Sequence, residues 1–468
     1  MARTLSRRRF IQALGAGAAA TLLPMHAYSA DRKPNVLFIP VDDLNDWIGC
    51  LGGHPDTITP NLDRLAERGV LFTRAYCAAP LCNPSRAALM SGILPSQSGV
   101  YQNDQPWRPA MPDAVTLSQC FMRQGYRVMG GGKIFHGRFN DPASWQEYYE
   151  RPADPRPDKR PVNGIENAGH FDWGPVDCDD EDMADWRLVD WAIERLNRTY
   201  DEPFFLAVGL IKPHLPWYVP RKYFDRFPED AITLPDVKED DLDDIPPCGR
   251  AMARPEGDHK SVIETSNWRK AVAGYLATIN FVDACVGRLM DAFERSPHAD
   301  NTIVVLWGDH GWHLGEKLHW RKFTLWEEAT RNPFMMVVPG VTKPGGRCDR
   351  TVSLMDVYPT LVDLCGLDAC GPQAGVTLRP LLENPQAEWD RPALTTYGRN
   401  NHSVRSEQWR YIRYHDGTEE LYDHAKDPME WTNLAGREDL AAVKKDLAQW
   451  FPSINAEDAR SIGGGSGE

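Results

Sequence analysis

Six short stretches carry residues able to bind a metal, hold an anion or move a proton. They are Asp42-Asp43, Cys82-Asn83-Pro84-Ser85-Arg86, Lys133-Ile134-Phe135-His136, Lys212-Pro213-His214, Asp309-His310 and Lys322. Sorted by chemistry, they fall into three groups. Asp42, Asp43 and Asp309 offer hard carboxylate oxygens suited to Ca²⁺ or Mg²⁺, with His310 adjoining as a less natural ligand for a hard cation. Lys133, Lys212, Lys322 and Arg86 are fixed cations suited to a tetrahedral oxyanion. His136 and His214 titrate near neutrality and can serve as base and acid. Each stretch alone has a bland alternative: a Lys-x-x-His is most often a solvated loop, and an acidic pair a solvated turn. Their recurrence after buried apolar runs lifts them together.

The Cys82 stretch stands apart. Asn83 suits an N-cap, Pro84 the first helical position and Gly92 a helix end. Cys82 is then expected just outside a helix N-terminus, where backbone N–H groups and the dipole favour negative charge. A buried cysteine beside an ordinary helix start is the alternative.

The elements that position these residues follow from apolar patterning. Asn35 to Val41 is continuously apolar and reads as a strand buried on both faces, ending at Asp42-Asp43. Further buried strands are expected over 70–76, 126–129, 204–210, 301–307 and 334–338, and helices over 60–68, 116–124, 182–197, 267–295 and 356–365. Strands alternating with helices argue for a doubly wound α/β core, in which ligands gather at the carboxyl ends of strands. Gly130-Gly131-Gly132 would let the backbone turn sharply and approach something closely. Residues 137–180 and 218–260 are long Pro- and Asp-rich excursions of the kind that shape a site. After about residue 385 the pattern changes to antiparallel strands with a helix over 440–450.

Cys82-Asn83-Pro84-Ser85-Arg86 resembles the signature of type I sulfatases, whose cysteine is oxidised to Cα-formylglycine. The stretches around Asp42-Asp43, Lys133, Lys212 and Asp309 follow in the family's order, and most resemble iduronate-2-sulfatases and their bacterial homologues. The resemblance implies an alkaline-phosphatase-like α/β sandwich with a large, mostly parallel sheet, plus a smaller C-terminal α+β subdomain with an antiparallel sheet. It implies one Ca²⁺ held by Asp42, Asp43, Asp309, His310 and residue 82. The hydrated aldehyde at position 82 would attack the sulfur of a sulfate ester. Lys133, Lys322 and Arg86 would stabilise charge, His214 would protonate the leaving oxygen, and His136 would take the proton whose loss expels sulfate. Lys212 is expected to be structural, and His313 and His319 receive no role. A phosphonate or phosphodiester hydrolase of the same superfamily is the competing enzyme reading. A non-catalytic glycan-binding relative would need a missing catalytic group, and none is missing.

The N-terminus and the composition bound the rest. Ser6-Arg7-Arg8-Arg9-Phe10 precedes a Gly- and Ala-rich apolar run, which reads as a twin-arginine export signal over residues 1–30; a Sec signal or an uncleaved anchor are the alternatives. The expected organisation is a catalytic domain over 31–384, a subdomain over 385–460 and a flexible tail over 461–468. The net charge is −14, and losing the four arginines of residues 1–30 takes it to −14 − 4 = −18. Such a chain is not expected to bind nucleic acid through its overall field, and no later stretch is long and apolar enough for stable membrane insertion. The expected partners are a sulfated saccharide, a formylglycine-generating enzyme and the twin-arginine translocase, with residence in the periplasm or outside the cell. Among the ten cysteines, Cys365 and Cys370 are close enough in sequence to pair, although spacing does not fix connectivity.

Overall fold

Asn35–Val41 (β1) is buried along its whole length, and its alternate side chains feed two different cores. Leu37 and Ile39 point into one, Val36 and Phe38 into the other. The other strands of the sheet are β2 (Val70–Tyr76), β3 (Arg127–Gly132), β4 (Glu147–Tyr149), β5 (Phe204–Gly209), β6 (Thr302–Gly308), β7 (Arg331–Val337) and β8 (Gly346–Ser353). This computed structural model describes residues 33–463 apart from Ala168. The expected export signal and the end of the expected tail lie outside the described residues.

The strand order is β8-β2-β7-β6-β1-β5-β3-β4. All strands run parallel except β7, which is antiparallel to both β2 and β6. The long helix Trp268–Glu294 and Ala184–Leu196 cover one face; Cys82–Ser91, Leu117–Arg123 and Val357–Leu364 cover the other. Apolar residues on both sides of each central strand require this two-sided helical cover. The expected mostly parallel sheet flanked by helices is therefore present.

The C-terminal strands β9 (Ala393–Thr396), β10 (His402–Arg405), β11 (Trp409–Arg413) and β12 (Glu419–Asp423) form a four-stranded antiparallel sheet in sequence order. The helix Ala441–Ala448 packs its Leu447 against Val404, Tyr411 and Leu421 of this sheet. Arg410 ties the sheet to the catalytic layer. Its guanidinium is fully buried, bonds both Glu327 and Glu430, and donates to the Leu325 carbonyl at 2.9 Å. Among the described residues, no helix is long and apolar enough to cross a membrane.

Two expectations are corrected, and the open cysteine pairing is resolved. The helix after β2 starts at Cys82, two residues earlier than a cap at Asn83 would place it. Leu81 is the extended N-cap, and Ser85 N–H reaches the Leu81 carbonyl at 3.2 Å to close the first turn. Asn83 instead turns its amide to the Gln102 and Gln105 carbonyls, at 2.9 and 2.7 Å. Cysteine pairing, which spacing left open, is set by the fold: the disulfide joins Cys120 to Cys370, and Cys365 is a buried thiol. Cys370 lies beside the Leu117–Arg123 helix, with a Cα–Cα separation of 5.6 Å from Cys120. Finally, Gly130-Gly131-Gly132 is part of β3 rather than a turn. A Cβ on Gly130 would lie 2.6 Å from the Trp145 ring, and one on Gly132 would lie 2.1 Å from the Gly209 carbonyl oxygen. The glycines thus serve close packing, and only Gly132 has a positive φ, 75°.

Candidate active site

Five strands deliver the site from their carboxyl ends. β1 runs into Asp42-Asp43, β3 into Lys133, β5 into the segment carrying Lys212 and His214, and β6 into Asp309-His310. β2 leads through a short loop to Cys82, the first residue of its helix. Asp42, Asp43, Asp309, His310 and Cys82 are each fully buried.

Arg86 organises the carboxylates. Its guanidinium donates to Asp42 at 2.8 Å and to Asp309 at 2.7 Å, and also reaches the Lys133 and Ile134 carbonyls. With no exposure and these bonds made, Arg86 is a strut beneath the site. Ser85 completes the floor, its hydroxyl donating to the Asp309 carbonyl at 2.6 Å. Lys133 Nζ lies 2.5 Å from the other Asp42 oxygen. Burial pushes the Asp42 carboxyl up, but Lys133 and Arg86 more than reverse this and hold it well below the ordinary range. Asp43 is likewise lowered: burial raises it, and Lys322 and His214 outweigh that.

The Cys82 thiol sits where these groups converge. Sγ lies 3.1 Å from Lys322 Nζ, 3.3 Å from His310 Nε2, 3.6 Å from Lys133 Nζ and 3.8 Å from Asp43 Oδ1. Two ammonium groups facing one small side chain suit an oxygen species bearing charge better than a neutral thiol. His214 stands across Asp43, with Nε2 at 3.8 Å from Oδ2 and Nδ1 2.6 Å from the Leu215 carbonyl oxygen. His214 is 13% exposed, so it faces the approach to the buried cluster. His136 follows Lys133 by three residues, half-buried, with its ring 6.2 Å from that of Phe139. Lys212 points away: its Nζ donates to the Pro216 carbonyl at 2.6 Å and its backbone N–H to Asp185 at 2.8 Å, which holds the His214 segment.

The residues fit a divalent cation. Among the described residues, Asp43 Oδ2 is buried and accepts no hydrogen bond, which leaves it able to ligate a cation. His310 Nδ1 lies 3.0 Å from the Gly311 carbonyl oxygen, so its N–H is spent there and the Nε2 lone pair faces the cluster. Burial lowers the His310 pKa, which favours that neutral, ligating form. Charge balance agrees: among the described residues, Asp42, Asp43 and Asp309 pair with Arg86, Lys133 and Lys322, with His214 and His310 alongside. A bound divalent cation would add positive charge for an entering sulfate ester anion.

Several contributors were not visible in the sequence. Tyr275, in the middle of the Trp268–Glu294 helix, donates to the Asp43 carbonyl at 2.7 Å. The sequence placed it only within the helix expected over 267–295. Asp43 itself has φ 58°, a left-handed backbone that this bond helps hold. Lys317, Leu318, Arg321 and Phe323 also have positive φ around Lys322. That loop is braced by His319, whose ring nitrogens lie 2.6 Å from the Ala253 and Lys322 carbonyl oxygens. His313 contacts the Glu316 carbonyl and the Thr324 hydroxyl. The two histidines left without roles therefore support the Lys322 loop. A cleft of about 730 Å³ is lined by residues such as Asp46, Glu328, Arg331 and Arg405 and holds none of the site residues.

With this geometry in place, comparison with known proteins is decisive. Residues 34–367 match the Sulfatase family, and residues 308–457 match the C-terminal region described as N-sulphoglucosamine sulphohydrolase, C-terminal. The chain belongs to the sulfatase family. It is therefore a sulfuric ester hydrolase, and the family implies a formylglycine and a metal site, both of which the buried Asp/Cys/His cluster can accommodate. The chain is 41% identical over 455 residues to a sulfatase of Formosa agariphila, covering 92% of this chain and 88% of that protein. It is 31% identical over 392 residues to human iduronate 2-sulfatase, covering 73% and 70%. The solved structure of a 2-O GAG sulfatase superimposes with a TM-score of 0.70 at 25% identity, over 89% of this chain and 91% of that one.

Proposed function

We propose that this sulfatase is an exo-acting enzyme that removes sulfate esters from a sulfated saccharide, in the manner of an iduronate 2-sulfatase. The observation carrying this reading is the placement of Cys82 Sγ, within 3.6 Å of Lys322, His310 and Lys133, with His214 across Asp43. The similarity to iduronate 2-sulfatase and to a 2-O GAG sulfatase supports a sulfated sugar as substrate.

Residue 82 converted to formylglycine supplies a hydrated aldehyde, whose two oxygens allow attack on sulfur and later release of sulfate. A Ca²⁺ would be held by Asp42, Asp43, Asp309 and His310 and would supply Lewis-acid charge beside residue 82. The chain's own residues do the rest. Lys133 and Lys322 place two ammonium groups at the transferring sulfuryl oxygens, in a buried setting where such charges act strongly. Arg86 keeps Asp42 and Asp309 in register. His214, partly open to solvent, is placed to give a proton to the departing sugar oxygen. His136 is assigned the proton taken up when sulfate leaves.

The reading includes export under the signal over residues 1–30, with maturation by a formylglycine-generating enzyme. It is tested by incubating the matured protein with a panel of defined sulfated oligosaccharides and following desulfation chromatographically. Removal of a 2-O-sulfate from a terminal uronic acid is expected; preference for a phosphonate or phosphodiester over every sulfate ester contradicts it. Chelation should abolish turnover and lower the melting temperature, and Ca²⁺ should restore both.

A further inference from the structure

We propose that a cleft of about 430 Å³ beside His214 is a subsite for a second anionic group on the sugar, a carboxylate or a further sulfate, held by Arg156 and Arg160. This rests on the saccharide reading of the active site above.

The cleft and the catalytic centre share a wall. Pro216 lines the cleft, and its carbonyl accepts the Lys212 ammonium that fixes the His214 segment. His170 also lines the cleft, and its ring stacks on that of His214, 5.9 Å between centroids and 16° between planes. A sugar whose leaving oxygen meets His214 therefore extends toward this cleft.

The charge in the cleft is available. Arg156 and Arg160 are both exposed and, among the described residues, neither has a carboxylate within ion-pairing distance. The one carboxylate lining the cleft, Asp172, is buried and already engaged. It accepts from the backbone N–H groups of Val162, Asn163 and Trp173, each at 2.9 Å, and from the Tyr218 hydroxyl. Two uncommitted guanidinium groups thus face the cleft in a chain of net charge −14. A guanidinium pairs with a carboxylate or sulfate through two parallel N–H···O bonds, which gives orientation as well as affinity. A substrate bearing an anion beside its ester is selected, and a neutral sulfated sugar is not.

The test compares the matured wild-type enzyme with Arg156→Ala, Arg160→Ala and the double variant on three substrates. These are 4-nitrophenyl sulfate, a 2-O-sulfated uronate and a disulfated hexosamine. The double variant is expected to lose kcat/KM by about tenfold to a hundredfold on the substrate with the second anion, the range expected when charge-assisted hydrogen bonds are removed. The loss should lie mainly in KM, and turnover of 4-nitrophenyl sulfate should be unchanged. Whichever dianionic substrate shows the loss identifies the group as carboxylate or sulfate. Free glucuronate or inorganic sulfate should inhibit the wild type more strongly than the double variant. Equal losses on all three substrates, or no loss on either dianionic one, overturns the subsite. Failure of the wild type on every sulfate ester instead overturns the underlying saccharide reading.

Discussion

At the scale of single residues, the site is a problem in managing buried charge. Arg86 has no exposure and bridges two carboxylates that would repel each other without it. Removing one partner from a buried ionic set leaves the rest uncompensated, so Arg86→Ala should cost about 3–5 kcal/mol, read as a lowered denaturant midpoint. Retention of full stability would show the strut to be dispensable. Cys82→Ala removes a small buried side chain and should leave the circular dichroism spectrum unchanged while abolishing sulfate release. Most of these residues were legible in the sequence because residue type and position after an apolar run both pointed to them. Tyr275 and the His313–His319 pair were not, because a polar atom placed by tertiary contact leaves no periodic mark. Arg86 was legible as a site residue from its place in the Cys82 stretch, while its bridge between Asp42 and Asp309 is set by tertiary contact.

At the scale of elements, the carboxyl ends of β1, β3, β5 and β6 converge because these strands are neighbours in one parallel set. Their apolar runs made them readable to within a residue or two at most ends. The β3 glycines were misread because a strand that must accept close neighbours and a loop that must turn use the same residue. The Gly132 position matters to the site, since Lys133 follows it directly. Gly132→Ala would need a positive φ and would thrust a Cβ to 2.1 Å from the Gly209 carbonyl oxygen. The expected result is a loss of roughly 2–4 kcal/mol in unfolding free energy together with reduced kcat, through displacement of Lys133. Wild-type kcat in a destabilised variant would separate the strand from the lysine's placement. The Cys120–Cys370 bond was not legible for a related reason: the two residues lie 250 positions apart, and only the packed layers bring them together.

At the scale of the whole molecule, the antiparallel C-terminal sheet is pinned by buried charge and carries groups that respond to acid. Burial holds the His402 pKa down to about 4, against the ordinary value of 6.5. The unfolded chain therefore takes up a proton that the folded state refuses as pH falls from about 6.5 to 4, and stability declines across that window. Glu430 adds a second, lower window. Burial raises its carboxyl, but Arg410 and His424 outweigh that and leave it at about 2. Its contribution is present above the unfolded value of 4.5 and is lost as pH falls toward 2. His402→Gln should remove up to about 3 kcal/mol of the pH dependence between 6.5 and 4, measured by thermal unfolding at a series of pH values. An unchanged pH profile would place the acid sensitivity elsewhere.

All three scales meet at residue 82, where the strands, the strut and the buried cations converge on a side chain too small and too enclosed to act as an ordinary thiol. The most direct measurement is the mass of the peptide carrying residue 82, taken on preparations made with and without a formylglycine-generating enzyme and set against their sulfate-ester turnover. Turnover should rise in proportion to the fraction of that peptide carrying the aldehyde, and should vanish where the fraction is zero. Full turnover in a preparation whose residue 82 is entirely thiol would contradict the account.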